Sequence, residues 1–309
     1  MPKTEYSCKV CGESFASERS LHAHLKKHSL TMADYYTKYY PRNNLLTGDP
    51  LPFKTKQDYF SKDFSTRSQL LKWCEQSVDN QVKQYILKLL QNRVEQKDLK
   101  FGPGHLELKI NSLPTIDIYQ KHFGSYTEAC EKVGVKPMFS KRLPESFLKE
   151  VSSDIEIFVD TREQKPLTFD KSSSLKLEFG DYAVGGEYYN YTYVDRKSEQ
   201  DFKSTLSKNN LERFREELKR ARDFDSYLFV VTESDLSKIA KNNHWGAHRS
   251  NLKYIYHNMR VLSHEFAGNC QFIFTGSRAH SQDIIPKILV NGKDVWDVDL
   301  QYYIDEEVI

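Results

Sequence analysis

Apolar positions recur at helical spacing through the first half of the chain and as short extended runs through the second. Val82, Ile86, Leu87, Leu89, Leu90 and Val94 form one stripe with a period near 3.6, and Leu70, Leu71, Trp73 and Cys74 cluster ahead of it. Residues 56–98 therefore read as helical. In 113–137, Thr115 caps a predicted helix that Gly124 ends, and Ser125 caps a second that stops at Gly134, with Pro137 beyond. From Asp154 the pattern changes. Ile155–Val159, Tyr227–Val231 and Phe272–Thr275 read as buried strands. Residues 199–207, the run Leu211, Phe214, Leu218, Ala221, residues 247–266 and a segment through Leu289 read as helices. Strands alternating with helices predict an α/β sandwich around a central mixed sheet. Breaks at 43–55 (Gly48, Pro50, Pro52) and around Gly102-Pro103-Gly104 divide the chain, giving expected domains over 1–42, 43–145 and 146–309.

Composition narrows this picture only modestly. A length of 309 residues allows two or three domains, and 39% hydrophobic content with a mean hydropathy of -0.68 implies exposed faces and linkers. Net charge is only +2, so any contact with a polyanion must come from local patches. There is no secretory signal and no apolar run near membrane-spanning length, so a cytoplasmic location and no membrane partner are expected. Five cysteines, an odd number, argue against a disulfide framework; Cys74, Cys130 and Cys270 read as buried thiols.

The other two cysteines belong to a metal pattern. Cys8, Cys11, His24 and His28 have the spacing C-x2-C-x12-H-x3-H of a Cys2His2 zinc finger, with Tyr6, Phe15 and Leu21 as its small core. A hairpin knuckle presents two thiolates, and two histidines one helical turn apart close the tetrahedron. A ββα finger with structural zinc is expected. Its usual base-reading positions fall on Ser17, Ser20 and Ala23, none of which makes a bidentate base contact, whereas Lys26 and Lys27 suit phosphates. A weak DNA-positioning module and a structural or protein-binding finger are both open. The helix pair at 113–137 offers Lys121, Lys132 and Lys136 for backbone contact, making 43–145 a helical DNA-binding or spacer domain.

The sharpest chemical signal is Gly180-Asp181 followed by Asp195-Arg196-Lys197, with Gly185-Gly186 and the run EYYNYTYV between them. An extended run, a glycine turn and a second extended run predict a β-hairpin. With its centre near Tyr188, Asp181 and Asp195 face each other, and Lys197 shares a face with Asp195. Facing carboxylates repel, and a divalent cation between them supplies a reason for the arrangement.

The segments FVDTRE at 158–163, GDY at 180–182, DRKSEQDF at 195–202, NLERFREELKRA at 210–221 and LFVVTES at 228–234 resemble the XPF-type branch of the PD-(D/E)XK nucleases. Asp160, Arg162, Glu163, Asp181, Arg196, Lys197 and Asp201 match the family pattern; Asp195 stands where the family usually has Glu. The resemblance implies a restriction-endonuclease-like catalytic domain. There Asp181 and Asp195 hold Mg²⁺ or Mn²⁺, Lys197 acts beside the reacting group, and Asp160 and Glu163 complete the acidic cluster. Arg162 and Arg196 are phosphate clamps or internal partners of these acids. Arg213 and Arg220, on an expected helix that also pairs Glu216 with Arg220, serve DNA contact or a solvated face. His244, Trp245, His248 and Arg249 form a further polar-aromatic cluster in an expected loop.

Separately, 113–137, centred on Phe123-Gly124-Ser125-Tyr126, resembles the small repeats attached to homing endonucleases and related phage nucleases. Together these resemblances imply a metal-dependent DNA endonuclease, of a site-specific nicking or homing type, acting in a host cytoplasm if phage-encoded. A flap or junction repair nuclease is the near alternative, and a non-cleaving DNA-binding protein on a nuclease scaffold the distant one. Such nucleases usually dimerise through a C-terminal helix-hairpin-helix tandem; only about 20 residues follow Leu289, so a homodimer would need another surface.

Overall fold

The computed structural model describes residues 6–53, 55–245 and 250–309, and the chain divides into two units, Met1–Tyr85 and Ile86–Ile309. The boundary falls inside one long helix. Among the described residues no helix is long and apolar enough to cross a membrane.

In the first unit, β1 (Tyr6–Ser7) pairs antiparallel with β2 (Ser14–Phe15), and α1 (Glu18–His24) follows. Ser17 caps α1 by accepting the Ser20 N–H. Helix α2 (Met32–Tyr39) starts on a capping box between Thr31 and Asp34. Its Tyr35 is fully buried, and the phenol accepts the Lys9 N–H at 2.9 Å, so α2 closes over the hairpin knuckle. Helices α3 (Lys56–Ser61) and α4 (Arg67–Gln76) follow, then α5 (Asp79–Lys97), which carries the chain out of this unit.

The second unit takes up α5 at Ile86. A parallel pair, β3 (Phe101–Gly102) and β4 (Lys136–Pro137), brackets α6 (His105–Ile110), α7 (Ile116–Phe123) and α8 (Tyr126–Lys132). Gly124 ends α7 at φ 88°, a conformation open to glycine, and Ser125 caps α8 through the Glu128 N–H.

The main sheet contains β5 (Ile157–Asp160), β6 (Ser172–Leu175), β7 (Tyr182–Val184), β8 (Thr192–Lys197), β9 (Tyr227–Thr232) and β10 (Cys270–Phe274), in the order β10-β9-β8-β7-β5-β6. β7 runs antiparallel to both of its neighbours, and the remaining pairs are parallel. The expected mixed sheet is present. Helices α9 (Glu199–Thr205), α10 (Leu211–Asp223), α11 (Leu236–Trp245), α12 (Leu252–Glu265), α13 (Arg278–Asn291) and α14 (Leu300–Asp305) complete the unit.

All six residues of β9 are buried, as a central strand covered on both faces requires. Leu228 and Val230 enter one core with Phe214, Leu218, Met259 and Leu262, whereas Tyr227, Phe229 and Val231 enter the other with Ile284 and Ile288. The connection from β7 to β8 departs from expectation. A 3-10 turn at Gly186–Tyr188 and a left-handed Tyr191 (φ 61°) interrupt the EYYNYTYV run, so the second strand starts only at Thr192. Helix α11 extends to Trp245 where a loop was expected. The side chains of the His244, Trp245, His248, Arg249 cluster lie outside the described residues.

Candidate active site

Strand register builds the site. Tyr182 pairs with Val194 and Ala183 with Tyr193, and one further step places Asp181 opposite Asp195. The Asp181 backbone is fixed from both sides: its N–H donates to Val194 O at 2.8 Å, and its carbonyl accepts the Asp160 N–H at 2.8 Å. Gly180, immediately before it, has φ +69°, and a Cβ there would lie 3.0 Å from Val194 O, so the entry to β7 needs glycine. The side chain of Asp181 accepts the Arg196 N–H through Oδ2 at 2.8 Å.

Alternation along β8 then sorts the motif. Tyr193, Asp195 and Lys197 share the face covered by α10, and Val194 and Arg196 share the other. Lys197 Nζ lies 2.6 Å from Asp195 Oδ2 and 5.5 Å from the Phe214 ring centroid. One turn along α10, Glu217 Oε1 accepts the Gly180 N–H at 3.1 Å. Three carboxylates, Asp181, Asp195 and Glu217, thus share one ammonium. Glu217 is the residue that the motif reading missed. Its only sequence signal is its place beside Leu218 at the border of the apolar stripe of α10.

Electrostatics follow from this crowding. Burial, and then the Asp195 charge, push the Asp181 carboxyl up to about 8. Burial and Asp195 raise Glu217 too, against the pull of the Gly180 N–H and Lys197. Burial pulls the Lys197 ammonium down, but Asp195 and Asp181 outweigh it, and its pKa stays above the ordinary value. Lys197 is therefore a fixed cation here, suited to stabilising negative charge rather than to taking a proton.

A stability trend follows. Between about pH 4 and pH 8 the folded metal-free protein holds a proton on Asp181 that the unfolded chain has released. Its stability therefore falls as pH rises through that window. The melting temperature of the wild type should drop relative to Asp181→Asn between about pH 5 and pH 8. Parallel curves for the two proteins would refute the assignment.

The remaining predicted residues have partners of their own, and the Glu163 charge also acts on Asp181. Asp160, buried, accepts Arg162 Nε at 2.6 Å and the Leu177 N–H at 2.7 Å. Burial alone would raise its pKa, but these bonds hold it below the usual range. Glu163 accepts both bonds from Arg196 Nη2, at 3.0 and 3.1 Å, and Arg196 Nη1 meets Glu233 at 3.0 Å. Of the two arginine roles expected, the internal one is filled in both cases, although Arg162 is still 62% exposed. Asp201 takes part in the N-cap of α9, accepting the Ser198 hydroxyl at 2.6 Å. On α10, Glu216 bonds Lys219 at 2.7 Å instead of pairing with Arg220, and Arg215 pairs with Glu212; Arg213 and Arg220 are exposed.

Asp181 and Asp195 fit a hard divalent cation in donor type, offering carboxylate oxygens, with Asp195 buried and Asp181 half-buried. The first unit offers a different donor set. One ligand atom from each of Cys8, Cys11, His24 and His28 falls within 4.8 Å of every other. His24 Nε2 is 3.2 Å from Cys11 Sγ and 3.0 Å from His28 Nε2. Tetrahedral zinc separates such ligands by about 3.3–3.6 Å, so the cluster is close to a zinc-binding geometry. His24 Nδ1 faces Glu13 at 3.5 Å, the usual outer partner of a ligating imidazole.

Residues 159–288 match the ERCC4 domain, the nuclease domain of XPF-type proteins. Among solved structures the chain is similar to XPF from Aeropyrum pernix, with 19% identity and a TM-score of 0.34 over 45% of this chain and 67% of that one. A second structure, XPF from Aeropyrum pernix in complex with DNA, gives 18% identity and a TM-score of 0.33 over 44% and 64%. No curated protein matches the chain.

Proposed function

We propose that the chain is a metal-dependent DNA endonuclease that hydrolyses phosphodiester bonds at Asp181, Asp195 and Lys197. The observation carrying this reading is the register that sets Asp181 against Asp195 with Lys197 on the same face. The ERCC4 match over the same residues supports it. Bound Mg²⁺ or Mn²⁺ would supply Lewis-acid polarisation of the phosphate and a more acidic water. Asp181 and Asp195 would hold it, and the Lys197 ammonium would stabilise charge developing on the phosphoryl oxygens. Phe214 and α10 shield that ammonium from water, which strengthens its field.

For the substrate, the ERCC4 match favours a branched or flapped DNA structure. The finger cluster, taken as a zinc site with Lys26 and Lys27 on phosphates, and the helical segment with Lys121 favour a chosen locus. Supercoiled plasmid and branched oligonucleotides incubated with Mg²⁺ or Mn²⁺ separate the two: nicking at one locus against cutting only at junctions. Specific DNA retention with no cleavage of any substrate would instead leave a non-cleaving scaffold.

Glu217 joins this reading as a positioning carboxylate. Glu217→Gln keeps an acceptor for the Gly180 N–H but removes the charge. We expect it to lower Mn²⁺ affinity, read by calorimetry, by about 10- to 100-fold while the fold stays intact. Unchanged Mn²⁺ affinity would reduce Glu217 to a turn-stabilising residue.

A further inference from the structure

Helix α12 carries Lys253, His257, Arg260 and His264 along one face, opposite its buried Ile255, Asn258, Met259 and Leu262. Arg93 and Lys97 of α5 stand beside that stripe. Glu107 of α6 joins the two helices, bonding Arg93 at 2.6 Å and His264 at 2.8 Å, and is itself buried. Of the other acids on these helices, Asp79 pairs with Lys83 and Glu265 with Arg215, while Glu95, which accepts from Gln91, keeps its charge. Arg260 Nη2 donates to His257 Nδ1 at 3.3 Å, so that imidazole is neutral, while Lys97 and Arg93 stand near enough to act on it. Burial lowers the pKa of His257, and the charges of Arg260, Lys97 and Arg93 lower it further. Arg260 is lowered in turn by burial and by Arg93, against the pull of Glu107. A fold gains nothing from cations that repel one another at its surface, whereas an anionic partner does.

We propose that the face formed by α5 and α12 is a docking surface for the phosphodiester backbone of duplex DNA. The inference rests on the endonuclease reading, which makes DNA the substrate, and adds a contact remote from the motif residues. On α10, the helix expected to touch DNA, Arg215 and Lys219 are paired with acids of the same helix, leaving Arg213 and Arg220 as its exposed cations. From Lys253 to His264 the stripe runs about 16 Å at 1.5 Å per residue. A duplex lying along it presents about one charge per 1.7 Å of axis. Lysine, arginine and histidine on such a stripe position a backbone without reading sequence.

The test uses the full chain carrying Asp195→Asn, so that labelled duplex stays uncut, and measures Kd by fluorescence anisotropy across a salt series. Adding Lys97→Gln with Lys253→Gln, both exposed positions, should weaken binding several-fold on any sequence. It should also lower the slope of log K against log salt by about 1.8, close to 0.9 per cation. Arg260→Gln should lower the slope by about 0.9. Lys287→Gln, whose lysine pairs with Asp283, should leave it unchanged. An unchanged slope in the double variant, or weaker binding at an unchanged slope, overturns the surface. Polyglutamate that binds the wild type but not the double variant, with DNA binding intact, overturns it in favour of an acidic protein. Cleavage by the unmutated Asp195 protein is read separately. If it cuts no substrate but the slope changes appear, the nuclease reading fails and the surface stands. If it cuts and the slopes do not move, the surface alone fails.

Discussion

Asp195→Ala should abolish phosphodiester cleavage, and Asp181→Asn should do the same while raising the melting temperature of the metal-free protein. Both effects come from one feature, two carboxylates brought face to face by strand register, with the Lys197 ammonium on Asp195. Losing the cation that polarises the phosphate removes several kcal/mol of charge stabilisation, a fall of roughly a thousandfold or more in rate. Stability moves the opposite way. The Asp181 carboxyl is pushed up to about 8 by burial and by Asp195, so its charged form is disfavoured in the fold. An amide at 181 still accepts the Arg196 N–H and carries no charge to repel Asp195. Activity and stability are therefore in tension at this position. The measurement is plasmid nicking beside thermal melts in the absence of divalent cation. Cleavage surviving Asp195→Ala would remove the site from α10's face of the sheet, and a lower melting temperature for Asp181→Asn would show that the two carboxylates are not in conflict.

Much of this site is legible before any coordinates, because strand geometry has a period of two. Once Asp181 and Asp195 are read as hairpin partners, the face shared by Asp195 and Lys197 follows, and so does the opposite face of Arg196. What sequence reading cannot see is which long side chain answers which charge. Asp160 and Glu163 read as members of the acidic cluster, and what the sequence hides is that Arg162 and Arg196 bond them. Those pairings depend on where the chain turns after β5, which no local pattern encodes. Glu217 is hidden for the converse reason. It is an ordinary acid on an amphipathic helix until α10 is laid over Gly180. Edge strand β6, Ser172–Leu175, is missed because a largely exposed serine run has no apolar alternation to betray it. The tyrosine run before β8 misleads for a third reason. β-propensity of EYYNYTYV promises strand throughout, but the turn at Gly186 and the left-handed Tyr191 end the pairing early.

Removing the zinc proposed at Cys8, Cys11, His24 and His28 should unfold residues 6–40, and this is the other large effect expected. Among the described residues the core around Cys8 has Leu21, Leu25 and Tyr35 as its further buried hydrophobics, with Tyr6, Phe15, Leu30, Tyr36 and Tyr39 packed against it. So small a core cannot offset the conformational entropy of ordering its own chain. Structural zinc in peptides of this kind contributes about 10–16 kcal/mol at neutral pH, which is ample. Without it, Cys8, Cys11, His24 and His28 would be left clustered at hydrogen-bond range with nothing to hold them. The wild type should contain about one zinc per chain. Cys8→Ser should lose it and open residues 6–40 to limited proteolysis, while residues 154–309, with their two cores, resist. Helix α2 should be lost together with the finger, since Tyr35 is anchored by the Lys9 N–H inside the knuckle. Atomic absorption for the metal and mass spectrometry of the protease fragments check both parts. A Cys8→Ser protein that keeps Tyr35 protected without metal would mean that α2, not zinc, holds the knuckle closed.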